Sequence, residues 1–334
     1  MKKLLATFLT IAITLLTLVG CGESKTPDNT QIKVGFLSGP TGVGMAKLIN
    51  DNGGLEGNEK YSFRSYAAEK SPTEAAKGEL LAGKIDVICL PTNEAAVYFN
   101  TTDDNCVILS INTLNTLFFI SDENNTVTSL ADLKDKTVYT CEKGTPKVVL
   151  EHLLAQANIN ATVSTVSPGG ETIGSPDDLK QQIIKGTVPI AFAPEPIVSA
   201  TSFARSNSGK TPYSVDLSCD DAWNANCDST LAMGCIIASK SFVEKHPTVI
   251  DEFLTEYKAS IEYISSSQNI DSAATYVVNA GILPNATVAK SALQNLGNSI
   301  AYIDGKAMKT TLQEFYKELG IKSPADAFYY EKKN

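Results

Sequence analysis

Four times along this chain an apolar, strand-like run enters a short turn rich in Gly, Pro, Thr, Asn or Glu, and a helix pattern begins directly behind it. The turns read SGPTG at 38–42, LPTNEA at 90–95, CEKGTPKVV at 141–149 and APEPIV at 193–198. Strands that feed helices in this way require an α/β arrangement, and in open α/β sheets ligands sit at the carboxyl ends of the strands. Any one such turn is an ordinary capped helix. Four of them in two separate stretches put polar turns on two lobes that can face one cleft. Thr92 or Asn93 is expected to cap the second helix, and Thr145 as N-cap with Pro146 at the first helical position gives the third a strong start.

Apolar runs with strand character fall at Ile32–Leu37, Tyr61–Tyr66, Ile85–Leu90, Val107–Ile111, Leu117–Ile120, Thr137–Thr140, Ala161–Val166, Ile190–Ala193 and Cys235–Ala238. Helical patterns fill most of the gaps, so the sheets are expected to be largely parallel. From Ser239 onward the chain reads as nearly all helical, with Pro247 opening a long helix. In SGPTGVGMAKLI, Gly39 and Gly44 match the first half of a P-loop, but Met45 and Ala46 stand where the lysine and hydroxyl residue belong, so a nucleotide cradle is not supported. A strand, a glycine turn and a helix start still make a local anion site.

The amino terminus sets the expected compartment. Lys2 and Lys3 precede an apolar run from Leu4 to Leu18, and Leu18-Val19-Gly20-Cys21 closes it, the pattern of a secretory signal over residues 1–20. The run is shorter than the ~20 residues of a spanning helix. LVGC resembles the bacterial lipobox, which implies lipidation of Cys21, and residues 21–30 then form the lipidated cysteine and a polar, flexible tether. About 300 residues remain, enough for two domains of usual size. Net charge is -9 and becomes -11 without Lys2 and Lys3, with 26 basic against 37 acidic residues. That balance argues against nucleic acid as a partner.

Six cysteines remain beside Cys21. Cys219 and Cys227 flank SCDDAWNANC and form a candidate disulfide if the exterior is oxidising, while Cys89, Cys106, Cys141 and Cys235 sit in apolar stretches as buried small residues. With no CxxC pair and only His152 and His246, no metal site and no cofactor are expected.

In their order along the chain, KVGFLSGPTGVGMAKLI, GKIDVICLPTNEAAVYFN at 83–100, LSINTLNTLFFIS at 109–121, SLADLKDKTVYTCEKGTP at 129–146 and FAPEP at 192–196 resemble the periplasmic solute-binding proteins of the nitrate, sulfonate and taurine type, related to those for thiamine pyrimidine precursors. The resemblance covers nearly all of the chain past the leader. It implies an α/β, two-lobed type II periplasmic-binding-protein fold with two crossing hinge strands: lobe one over 31–113 and 234–334, lobe two over 114–233, and crossings near Asn112–Leu117 and Leu231–Gly234. It further implies a monomer that captures a small-molecule solute and hands it to an ABC permease in the membrane, the chain itself held outside the cytoplasm by lipid on Cys21.

Roles for residues follow from the turns. Ser38, Thr41, Thr92, Asn93 and Thr145 can donate side-chain hydrogen bonds, and the amides around Gly39, Gly42 and Gly144 can approach an anionic group. Asn112 and Thr113 can reach the cleft from the first crossing. Glu195 matches the family's Glu-Pro position and would accept from an amine or ring N–H, or else stand as a solvated turn carboxylate. Tyr66 and Trp223 can stack on a planar ligand, although Trp223 can equally pack its own loop. Lys143 is the one cation in the turns, which suits a zwitterionic or heterocyclic solute better than a strongly anionic one.

Two other readings compete. A pyrimidine-synthesising enzyme on the same fold would need a reactive histidine and a cysteine-rich segment, and neither His152 nor His246 falls in the turns; a G-x-S-x-G elbow is also missing. A sensing or adhesive surface lipoprotein would keep the binding fold and change only the partner.

Overall fold

A computed structural model describes residues 28–142 and 144–332; the leader, Cys21, the tether up to residue 27 and Lys143 lie outside the described residues. In chain order the elements are β1 Ile32–Phe36, α1 Pro40–Val43, α2 Ala46–Asp51, β2 Tyr61–Ser65, α3 Pro72–Leu81, β3 Val87–Pro91, α4 Thr92–Thr101, β4 Cys106–Thr113 and β5 Leu117–Ser121. They continue with β6 Thr137–Tyr139, α5 Thr145–Gln156, β7 Thr162–Ser164, α6 Pro176–Lys185, β8 Ile190–Pro194, α7 Ile197–Asn207, β9 Ser214–Ser218 and α8 Cys219–Asn224. The last are β10 Gly234–Ser239, α9 Lys240–Lys245, α10 Pro247–Ser265, α11 Ile270–Asn279, α12 Ala286–Leu296, β11 Ile300–Ile303 and α13 Gly305–Glu318. Among the described residues no helix is long and apolar enough to cross a membrane.

Two sheets organise the chain, one ordered β11-β4-β10-β3-β1-β2 and the other β7-β6-β8-β5-β9. The expectation of largely parallel sheets is not met. β1 pairs parallel with β2 and β3, and β6 with β7 and β8, but β10 and β11 pair antiparallel in the first sheet and β5 does so with both β8 and β9 in the second. For β5 and β10 the reason is the double crossing. A strand that enters a lobe from its neighbour, as β5 and β10 do, comes from the side where the resident strands end and so runs against them.

Strand alternation assigns the core. In the first sheet, Val87, Cys89, Leu109, Ile236 and Ala238 face α10, α11 and α12, while Ile88, Leu90, Ile108, Cys235 and Ile237 face the opposite layer. That second layer does not stop at the lobe boundary. It runs through Leu231, Ala232 and Met233 to Phe119 and Phe192 of the second sheet, and takes in Leu150 and Leu153 of α5 and Phe315 of α13. Each such buried side chain contributes roughly 1.5–3 kcal/mol by leaving water. The outer face of the second sheet packs Phe118, Ile120, Ala191 and Ala193 under α6 and α7. The four cysteines Cys89, Cys106, Cys141 and Cys235 are all fully buried.

Local starts differ from expectation in two places. Pro91, not Thr92 or Asn93, is the N-cap of α4, and Gly144, not Thr145, is the N-cap of α5, which moves Pro146 to the second helical position. Toward the amino terminus, the last tether residues are already bonded to the lobe, since Asp28 contacts His246 Nδ1 at 2.8 Å.

Candidate functional site

Between the two sheets lies a cavity of about 250 Å³. From the first lobe it is lined by Pro40, Thr41, Thr73, Pro91, Asn93, Glu94 and Thr113, and from the crossings and the second lobe by Thr116, Leu117, Gly144, Thr145, Pro146, Pro176, Pro194 and Met233. Pro91, Thr113 and Pro194 are the carboxyl ends of β3, β4 and β8. Thr73, Asn93, Thr145 and Pro176 belong to the first turns of α3, α4, α5 and α6. First-turn N–H groups lack an intrahelical partner and carry the positive end of the helix dipole, so the cavity wall favours an acceptor or a partial negative charge.

The lobes meet over this space. Thr145 Oγ1 donates to Asn93 Oδ1 at 3.3 Å. Two glycine turns frame it with nearly the same backbone: Gly39 at φ 94, ψ -166 before α1, and Gly144 at φ 95, ψ -173 before α5. That region is open essentially to glycine alone. Gly39 also lies against the other lobe, because a Cβ placed on it would stand 3.8 Å from Pro196 Cδ.

Among the described residues the only ionisable side chain lining the cavity is Glu94, and it is already paired. Lys77 Nζ lies 2.9 Å from Glu94 and 2.6 Å from Glu74. Burial pushes the Lys77 ammonium down, but its hydrogen bonds and attraction to the two carboxylates more than reverse this and hold its pKa above the usual lysine value. The remaining polar groups are hydroxyls and one amide, so the site can exchange hydrogen bonds in both directions without a net charge.

The structure sorts the sequence candidates. Thr41, Asn93, Thr113, Gly144 and Thr145 line the cavity. Ser38 is exposed outside it, and Gly39 is buried behind it. Gly42 serves packing: its N–H donates to the Gly39 carbonyl at 3.0 Å, and a Cβ there would meet the Leu37 oxygen at 2.2 Å. Thr92 is buried and turns away from the cavity, its hydroxyl donating to the Ala232 carbonyl. Asn112 is likewise buried. Its Nδ2 donates to Thr41 O at 3.0 Å and Tyr257 Oη at 2.9 Å, and its Oδ1 accepts from Thr113 at 2.9 Å.

Glu195 is neither a solvated turn carboxylate nor a cavity residue. It is 1% exposed, accepts from Ser199 Oγ at 2.9 Å and Ser199 N at 3.2 Å in its own lobe, and from Asn295 Nδ2 at 2.5 Å in the other. Ser291 Oγ lies 3.1 Å from Ser199 Oγ, which accepts from it because the Ser199 proton is given to Glu195. Burial raises the Glu195 pKa above the usual carboxylate range, opposed by the hydrogen bonds from Asn295 and Ser199. The carboxylate therefore joins the lobes. Tyr66 and Trp223 are fully buried, with Tyr66 Oη donating to Glu79 at 2.6 Å and Trp223 Nε1 to Ser229 O at 2.6 Å, so neither faces a ligand.

Cys219 and Cys227, the candidate disulfide pair, are free cysteines in the structure. Cys219 is buried at the start of α8, whereas the Cys227 N–H bonds back to the Trp223 carbonyl at 2.8 Å past the end of that helix. Burial raises both thiols, Cys227 to about 11, with nearby carboxylates adding to it. Sequence reasoning passed over Thr73, Glu94, Thr116 and Pro176. Thr73 was within reach, because SPTE at 71–74 follows β2 with the same helix-start chemistry as the four turns singled out.

Two α/β lobes joined by two crossings, with a cavity at the strand ends between them, define the periplasmic-binding-protein fold. The sequence profile described as NMT1/THI5 like matches residues 68–269, and the chain belongs to that family. Solved structures share the fold at low identity. An ABC transporter protein from Parabacteroides distasonis is 16% identical with a TM-score of 0.68, over 92% of this chain and 100% of that one. The periplasmic aliphatic sulphonate binding protein SsuA from Escherichia coli is 17% identical with a TM-score of 0.66, over 92% and 94%. The periplasmic nitrate-binding protein NrtA from Synechocystis PCC 6803 is 15% identical with a TM-score of 0.60, over 88% and 82%. No curated protein matches the chain.

Proposed function

We propose that this chain is an extracytoplasmic solute-binding lipoprotein, anchored through Cys21, that closes its lobes over a small polar molecule and delivers it to an ABC importer. The carrying observation is that hydroxyl and amide groups of both lobes, Thr41, Asn93 and Thr113 on one side and Thr116 and Thr145 on the other, line one cavity. Closure around a solute held by both walls is a hinge motion, and it creates the surface a permease reads. The family membership and the sulphonate- and nitrate-binding structures of the same fold support binding over catalysis. Among its described lining residues the cavity holds no histidine, cysteine or serine.

A volume of about 250 Å³ suits a solute smaller than a drug-sized ligand. Paired Glu94 and four helix starts suit a molecule with an acceptor-rich or weakly anionic end and an apolar or heterocyclic body against the prolines. A thermal-shift screen of the chain from Gly22 onward against sulfonates, nitrate, amino acids, pyrimidines and vitamin precursors tests this. A true ligand at 100 times its dissociation constant adds ~2.7 kcal/mol and a melting rise of several degrees. A folded, ligand-free sample that responds to none of these classes removes the reading.

A further inference from the structure

The spacing of histidine and cysteine gives no metal signature, yet the fold gathers one. His152 from α5, Cys227 from the segment returning out of the second lobe and Glu318 from the end of α13 have ligand atoms that all lie within 4.8 Å of one another. His152 Nε2 and Glu318 Oε1 are already 2.7 Å apart. The imidazole is held from behind by the Trp223 ring, 5.5 Å between centroids, and Trp223 is pinned by its own hydrogen bond to Ser229 O at 2.6 Å. The His152 and Glu318 side chains are 19% and 17% exposed, which shields the cluster but leaves it open to an ion. None of the three lines the solute cavity.

We propose that His152, Cys227 and Glu318 bind one divalent ion of the zinc class and so tie α5 of the second lobe to α13 of the first. The donor set is one imidazole nitrogen, one thiolate and one carboxylate, which selects a borderline-soft ion over magnesium or calcium. Metal–ligand bonds of about 2.0–2.3 Å place tetrahedral ligands roughly 3.3–3.8 Å apart. Side-chain shifts of about 1 Å are therefore enough to close the set, with the His152–Glu318 hydrogen bond giving way to two bonds to the ion. On binding, the Cys227 S–H bond breaks, its proton leaves to solvent, and the sulfur lone pair forms the metal bond while His152 ligates as the neutral ring. One thiolate and one carboxylate then balance the 2+ charge, and the fourth position is left to water.

The test uses the full chain with reductant present, so that Cys219 and Cys227 stay thiols, and cobalt(II) and zinc(II) as probes. The expected result is one cobalt per chain with a thiolate-to-metal absorption band, displaced by an equivalent of zinc. Cys227→Ser removes that band. His152→Gln and Glu318→Gln each weaken zinc about 100-fold or more, since even outer-sphere partners of a ligand are worth ~10–100-fold. Zinc raises the melting temperature of the wild type and not of Cys227→Ser. Absence of the thiolate band in the wild-type protein overturns the proposal whether or not the variants fold, and so does zinc affinity that is unchanged in all three variants.

Discussion

The hydroxyl of Thr145 donates to the side-chain oxygen of Asn93 across 3.3 Å, joining the first turn of α5 in one lobe to the first turn of α4 in the other at the wall of the cavity. Under the proposed function a solute in the cavity competes with both groups. Thr145→Val removes the donor while keeping the shape, and weakens solute binding by the value of one hydrogen bond, ~0.5–1.5 kcal/mol or about 2- to 12-fold. Thr41→Trp fills the opposite wall and abolishes binding with the melting temperature of the free protein little changed. Titration calorimetry with the solute found by screening checks both; full affinity in the two variants excludes this cavity as the binding site.

Asn112 acts one layer behind the wall. With Nδ2 shared between Thr41 O and Tyr257 Oη, Asn112→Leu strands a buried hydroxyl and a carbonyl and costs about 1–3 kcal/mol in urea unfolding. Tyr257→Phe deletes only the outer acceptor and costs less, though Asn112 then loses a partner. Equal stability of the wild type and Asn112→Leu counts against a positioning role.

Glu195 predicts a pH dependence. Its folded pKa lies above the ordinary glutamate value, chiefly through burial. A group raised in this way contributes stability that is complete below the unfolded pKa of ~4.3 and is lost as pH rises through the folded value. The melting temperature of the wild type minus that of Glu195→Gln therefore falls as pH goes from 4 to 8. The Gln variant also loses the contact with Ser199 N, but that offset does not vary with pH and leaves the slope readable. A flat difference across this range is the contrary result.

Gly144 carries a backbone that other residues enter only under strain, at φ 95, ψ -173, so Gly144→Ala costs roughly 1–3 kcal/mol even though a Cβ there meets nothing nearer than Pro146 Cδ at 3.5 Å. Gly83→Ala, at φ 66 with nothing within 4 Å, serves as the comparison for a glycine away from the cavity. Chemical denaturation of the pair compares backbone strain at the cavity with strain away from it. If Gly144→Ala is as stable as the wild type, the paired glycine turns are not required for the closed wall.

The nine apolar runs that read as strands are strands; eight of them carry at least one buried side chain, whereas β7, at the edge of its sheet, carries none. β9 and β11 were not legible. Ser214–Ser218 is an edge strand with a single side paired and Val215 exposed at 44%, so it lacks an apolar run, and Ile300–Ile303 is four residues set between helices. Of the candidate site, Thr41, Asn93 and Thr145 were visible as polar helix starts behind strands. Glu195 was visible as a residue and hidden as a role, since its partner Asn295 lies 100 residues away. The same distance problem hid His152, Cys227 and Glu318, and hid Thr92 and Asn112 as struts for backbone carbonyls.

Five of the fifteen described residues around the cavity are proline: Pro40, Pro91, Pro146, Pro176 and Pro194. Proline rings fix φ, so these turns have few alternative shapes to surrender when a guest arrives. Under the proposed function a guest in this cavity meets a mould cast at folding, and selection among near-identical guests rests on fit at its rigid edges.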